Sequence, residues 1–285
     1  MGNLRYRSIF ISDVHLGTRE CRAEYLLDFL ESTDCDRLYL VGDIFDLWSM
    51  RKSVYWNPDH SAVVQAVFDK ARDGTEVIYI PGNHDELMRD FIGAEFSGVR
   101  LMRNAIHVTA DGRRFFVSHG DEFDGLVKHN RVLKFIGDGA YNLLLAGNRR
   151  FNVLRRRLGY RYWSLSSYLK TRVNNAVQYI RKFEETAAQT ARRENCDGYI
   201  CGHIHKAGIE SIDEVLYANT GDWVEHCTAL VEDFHGRLQL LHWSDARRVE
   251  IVHGAEGVMA AGMPLLVARR LGMDTFGLRQ TAGRR

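Results

Sequence analysis

Five short motifs follow one another along the chain: Asp13-Val14-His15, Gly42-Asp43, Gly82-Asn83-His84-Asp85, Ser118-His119-Gly120-Asp121 and Gly202-His203-Ile204-His205. Each closes a strand-like apolar run, at Tyr6 to Ile11, Arg37 to Val41, Glu76 to Ile80, Arg114 to Val117 and Gly198 to Cys201. A lone Asp-x-His is ordinary turn chemistry, since Asp, Asn and Gly favour turns; that explains one motif, not five in series. Helical patterns at Arg22 to Leu30 and Ser61 to Arg72 separate the first three runs, so this part alternates strand and helix as an α/β sheet does. In such sheets ligands collect at the carboxyl ends of the strands. The motifs are predicted to sit at that edge.

The residue types point to metal. In an extended segment residues two apart face the same side, so Asp13 and His15 are expected to grip one ion together, and His203 and His205 to do the same from another strand end. Asp43 stands alone after a glycine, and its two oxygens suit a bridge between two ions about 3.5–4 Å apart. Asn83 offers a neutral amide oxygen and His119 a further imidazole. Carboxylate, amide and imidazole without thiolate fit manganese, iron or zinc. Two such ions would activate water and clamp phosphoryl oxygens through an in-line displacement. The histidines outside the motifs, His60, His107, His129, His226, His235, His242 and His253, read as surface or hydrogen-bonded structural residues. His226 is set slightly apart, because Gly221-Asp222-Trp223 before it is expected to form a loop near the active edge.

Taken together, the motifs resemble the calcineurin-like metallophosphoesterases, over roughly residues 5 to 243. The resemblance implies a four-layer α/β sandwich, helix, two mixed β-sheets and helix, with the later runs Val215 to Tyr217, Thr228 to Val231 and Leu238 to His242 in the second sheet. It implies two divalent metal ions, one held by Asp13, His15, Asp43 and His205, the other by Asp43, Asn83, His119 and His203. It makes His84 the catalytic histidine, which donates a proton to the leaving oxygen or stabilises the transition state, and Asp85 the residue that orients it. At a finer level, Asp43-Ile44-Phe45-Asp46-Leu47-Trp48, the insertion after His119 and Gly221-Asp222-Trp223 resemble the bacterial UDP-2,3-diacylglucosamine pyrophosphatase branch. That branch cleaves a nucleotide–lipid pyrophosphate to UMP and a lipid phosphate in the lipid A pathway, uses manganese, and works at the inner face of the membrane. It carries Arg where this chain has His84. An Arg is a fixed positive fork for phosphate, whereas a His transfers a proton, which suits a leaving group that needs one.

With 285 residues, 45% of them hydrophobic, the chain can bury a full core in one catalytic domain, expected over 1–245 and followed by a tail over 246–285. A strand begins almost at once, which leaves no room for a secretory signal, and no apolar run approaches the ~20 residues of a spanning helix. The cysteines, Cys21, Cys35, Cys196, Cys201 and Cys227, are odd in number without paired spacing, which favours a reduced cytoplasmic protein.

The net charge of +1 hides an asymmetry. Between Asp124 and Glu184 the only acidic residue is Asp138, against thirteen Lys and Arg, among them Arg149, Arg157 and Lys170. This stretch lies in a helical insertion, expected over 122–195, whose Leu165, Leu169, Val173, Val177 and Ile180 recur at helical spacing. It is expected to arch over the metal site as a cap, and Arg149, Arg157 and Lys170 are its candidate substrate contacts. The bland reading is a solvated helical face; beside a phosphoryl-transfer site, an anionic substrate or an anionic membrane surface is the favoured partner. A nucleic-acid backbone is the less favoured partner, and a non-catalytic binding module would predict missing ligands, of which there are none. Val258 to Leu271 reads as an amphipathic surface helix or a packing segment, interrupted by Pro264.

Overall fold

The computed structural model describes residues 3–125, 165–243 and 250–254, with side chains over 3–125 and 177–243. Its first three strands, β1 (Leu4–Ile11), β2 (Thr33–Val41) and β3 (Glu76–Ile80), are parallel neighbours. Their apolar runs are continuous because both faces are covered. Ile9, Ile11, Leu38, Leu40, Val77 and Tyr79 face α1 (Ala23–Ser32) and α3 (Pro58–Arg72), where they pack with Leu26, Phe29, Leu30, Val63 and Val67. The alternate residues Phe10, Tyr39, Val41, Ile78 and Ile80 face the other way, into a second core with Phe115, Val117, Ile200 and Ala218. The period of two thus feeds two separate cores from one set of strands. Helix α3 starts at an Asn57 cap that accepts the His60 N–H at 3.0 Å, with Pro58 in its first turn. A single-turn α2 (Leu47–Met50) is capped by Asp46.

Two mixed sheets result. The larger has the order β13-β12-β11-β1-β2-β3-β5-β4 and the smaller β6-β7-β8-β10-β9, where β4 is Glu95–Phe96, β5 Val99–Leu101, β6 Ala105–Val108, β7 Arg114–Val117, β8 Gly198–Cys201, β9 Gly208–Ile212, β10 Val215–Asn219, β11 Thr228–Glu232, β12 Leu238–His242 and β13 Glu250–Gly254. The α/β fold class read from the sequence is therefore the observed one. One assignment needs correction. Of the three later runs expected in the second sheet only β10 lies there; β11 returns to the first sheet antiparallel to β1, with β12 beside it. Every residue of β11 is buried, as an interior strand requires, and an apolar run does not by itself state which sheet it joins.

The backbone divides into two units, Met1–Glu122 with Ala187–Arg285, and Phe123–Thr186. The long helix α4 (Leu165–Arg193) carries the expected helical periodicity. In the second unit Phe183 is buried against Phe123, and Tyr179 Oη donates to Asp124 Oδ1 at 3.0 Å. In the first unit Ala187, Ala188 and Ala191 are buried, and Arg192 donates to the Asp213 carbonyl at 2.7 Å. Arg149, Arg157 and the stretch Val258 to Leu271 lie outside the described residues. All five cysteines are free and buried, and burial pushes the Cys21 and Cys35 thiols up to about 12. Among the described residues no helix is long and apolar enough to cross a membrane.

A charged cluster spans the two sheets at the end away from the motifs. Glu232 of β11, fully buried, accepts from Arg7 at 2.7 Å, Ser8 Oγ at 2.8 Å and the Ala110 N–H at 2.7 Å, and lies 2.9 Å from His107 Nε2 on β6. Burial opposes the charge, but the hydrogen bonds from His107, Ser8 and Ala110 outweigh it and hold Glu232 below its ordinary value. Removing the carboxylate strands Arg7 and His107, so Glu232→Ala is expected to cost about 3–5 kcal/mol in urea unfolding. Because the folded value is depressed, this contribution is present above the unfolded carboxylate value and is lost as pH falls through the folded one. A Glu232→Ala protein as stable as the wild type at neutral pH would refute the clamp.

Candidate metal centre

The motif residues converge although they come from both sheets. Asp13 and His15 follow β1, Asp43 follows β2, Asn83 and His84 follow β3, His119 follows β7, and His203 and His205 follow β8. Asp13, His15 and His205 form one group whose ligand-type atoms all lie within 4.8 Å of one another; Asp43, His119 and His203 form another. Asp13, Asp43 and His119 are almost wholly buried. His203 and His205 fall in different groups, as the family resemblance implies and unlike the shared ion that their spacing alone suggests. Both have left-handed backbone, φ 68° and 53°. Asp13, His15 and Asp43 also have φ of 50–55°. For residues with a Cβ this conformation is strained and persists only when the surroundings over-determine it.

The motif glycines let these groups approach. A Cβ on Gly42 would overlap the His119 ring, one on Gly82 the Asp43 carboxylate, and one on Gly202 both Ser12 and Asp13. Gly82 and Gly202 lie outside the left-handed region, so at these two positions the glycine is required for space, not for turn conformation.

Asp13 Oδ1, His15 Nε2, Asn83 Oδ1 and His119 Nε2 are buried without a hydrogen-bond partner among the described residues. Buried polar atoms are ordinarily satisfied, and four converging orphans of ligand type fit divalent cations. Asp13, His15 and His205 would hold one ion, and Asp43, His119 and His203 with Asn83 the other; when bound, such ions supply Lewis-acid stabilisation and an activated water. Burial opposes charge on both Asp43 and His119, but each stabilises the other: Asp43 is held below the carboxylate range and His119 well above the imidazole range. Metal ligation needs the neutral imidazole, so acid favours this ion pair over occupancy.

Carboxylates behind the imidazoles orient them. Asp46 is nearly buried; its Oδ1 lies 3.0 Å from His84 Nδ1 and its Oδ2 3.2 Å from His15 Nδ1. The Trp48 ring lies tilted beside His84 with centroids 4.6 Å apart. This corrects the expected pairing of Asp85 with His84. Asp85 instead accepts from Tyr79 Oη at 2.5 Å and from the N–H groups of Gly82 at 2.6 Å, Ile44 at 2.8 Å, and Asp43 and Phe45 at 3.3 Å each. Asp85 holds loops together; Asp46 orients the histidine. The signal for Asp46 was in the sequence, three residues after Asp43, but spacing alone assigned it no partner. Of the expected substrate contacts, Lys170 lies on α4, with its side chain outside the described residues.

The family model for calcineurin-like phosphoesterase matches residues 6–207. The chain belongs to that family. As a calcineurin-like phosphoesterase it is a metal-dependent hydrolase of phosphoesters, and the groups above are where its family's metals would bind. It is 27% identical over 240 residues to a UDP-2,3-diacylglucosamine hydrolase of Aeromonas hydrophila, covering 79% of this chain and 93% of that protein. A protein of the same name from Aeromonas salmonicida is 28% identical over 239 residues, 79% of this chain and 89% of its own. One from Xanthomonas campestris is 28% identical over 261 residues, 80% and 96%.

Gly202→Ala is expected to weaken metal affinity by about 10–100-fold, the range for disturbed ligand support, with far-UV circular dichroism retained. Metal titration showing wild-type affinity would remove the close-approach argument.

Proposed function

We propose that this phosphoesterase hydrolyses the pyrophosphate of a nucleotide–lipid of the UDP-2,3-diacylglucosamine type, releasing UMP and a lipid phosphate. The observation that carries the reading is the pair of ligand-type groups around Asp13 and Asp43, two of three such groups among the described residues, in a chain 27–28% identical, along 79–80% of its length, to proteins of that name. Asp43 would be shared between two divalent ions, manganese first among manganese, iron and zinc, and Asn83 would complete the second site. His84, oriented by Asp46, donates to the leaving oxygen. The thirteen Lys and Arg between Asp124 and Glu184 attract the anionic substrate, with Arg149, Arg157 and Lys170 as contacts, and draw a cytoplasmic protein to the anionic inner surface of the membrane.

A second reading rests on His84. A histidine held by a carboxylate suits protonation of a poor leaving group, which an ordinary phosphate ester has and UMP does not. That reading makes the substrate a phosphomonoester or phosphodiester of an amphiphile.

Two measurements test these assignments. Manganese-dependent release of UMP from UDP-2,3-diacylglucosamine, followed by phosphorus NMR beside a generic bis-ester, is expected for the wild type; turnover of the bis-ester without UMP would move the substrate to the second reading. Asp43→Ala is expected to lose both ions by elemental analysis. Full occupancy in that variant would sink the bridge.

A further inference from the structure

A second carboxylate–imidazole pair lies beside the metal groups and is used by no step above. Asp222 is fully buried in the loop after β10. Its Oδ1 accepts the N–H groups of Val224 at 2.9 Å, Glu225 at 2.6 Å and His226 at 3.2 Å. Its Oδ2 lies 2.5 Å from His226 Nδ1 and 3.8 Å from His205 Nδ1. The oxygen that is hydrogen-bonded to His226 is thus also within ion-pair distance of a metal-ligand candidate, His205. The loop is pinned to the site: the Trp223 N–H donates to the Asp13 carbonyl at 3.0 Å, the Arg22 N–H donates to the Trp223 carbonyl at 2.8 Å, and the Trp223 side chain is wholly buried.

His226 differs from the other histidines here. Its side chain is 53% exposed although its Nδ1 is anchored on a buried carboxylate. Nδ1 is committed to Asp222, which leaves Nε2 to face outward, and Nε2 takes no hydrogen bond from any described residue. The hydrogen bond to Asp222 favours the imidazolium. Among the described residues, Arg89 donates to both oxygens of Asp121 at 2.8 Å, and Lys206 reaches Glu210 at 3.1 Å. A substrate with two linked phosphoryl groups needs more than the metals, because the phosphoryl that is not attacked brings its own charge beside them.

We infer that His226 is a substrate-binding residue whose Nε2–H, held outward by Asp222, receives an oxygen of the second, non-scissile phosphoryl of a pyrophosphate diester. This deepens the pyrophosphatase reading and rests on it. His226 thereby discriminates linked phosphates from single ones; a single charge-assisted hydrogen bond of this kind is worth about tenfold in affinity.

The test uses the manganese-loaded full chain with UDP and UMP as competitive inhibitors of bis-p-nitrophenyl phosphate hydrolysis, at fixed free manganese. Wild type is expected to bind UDP more tightly than UMP. His226→Ala is expected to lose about tenfold of that UDP advantage at unchanged metal content by elemental analysis, and His226→Arg to restore most of it. An unchanged UDP-to-UMP ratio in His226→Ala overturns the inference. Loss of metal, or equal weakening of both nucleotides with no rescue by Arg, would reduce His226 to a structural residue and overturn it as well. Failure of the wild type to release UMP from UDP-2,3-diacylglucosamine is scored separately and sinks the substrate reading alone, because the inhibitor ratio is measured without that substrate.

Discussion

Five hydrogen bonds converge on the Asp85 carboxylate, from Tyr79 Oη and the N–H groups of Gly82, Asp43, Ile44 and Phe45. They tie the loop after β3 to the loop after β2. That second loop then holds the loop after β1: the Asp13 N–H donates to the Gly42 carbonyl, those of Val14 and His15 to the Asp43 carbonyl, and that of Leu16 to the Ile44 carbonyl. The strained left-handed residues Asp13, His15 and Asp43 sit within this ladder. Without it their conformations would relax and their side chains would diverge. Strain at the ligands is thus sustained by hydrogen bonds formed behind them.

The site also depends on how the two sheets face each other. Asp13, His15, Asp43 and Asn83 come from strands of the larger sheet, and His119, His203 and His205 from strands of the smaller. Neither sheet holds a complete set. Phe10, Tyr39, Val41, Ile78 and Ile80 on one side and Phe115, Val117, Ile200 and Ala218 on the other pack between them, and close-packed interiors transmit displacement instead of absorbing it. The Glu232 cluster clamps the same two sheets from the far end.

The buried carboxylates divide into two kinds. Asp85 and Glu232 accept from several elements and fix backbone. Asp46 and Asp222 each stand behind a pair of imidazoles, His15 with His84 and His205 with His226. A carboxylate on one ring nitrogen sets the tautomer and aims the other nitrogen. Each of these pairs joins a residue of the Asp13 group to a second histidine, His84 or His226.

The sequence by itself determined the strands that carry the motifs, the α/β class, the ligand residue types and their family, because period-two apolar runs and turn residues are local signals and metal chemistry restricts the donors. The helical periodicity of the segment from Leu165 was equally legible. Tertiary structure alone decided that β11 and β12 return to the first sheet, since strand pairing is non-local and any apolar run satisfies it. It gave Asp46 the place beside His84 that the family resemblance had assigned to Asp85, and paired Asp222 with His226. Hydrogen-bond partners among buried carboxylates depend on which loops lie side by side in space, and separation along the chain does not record that.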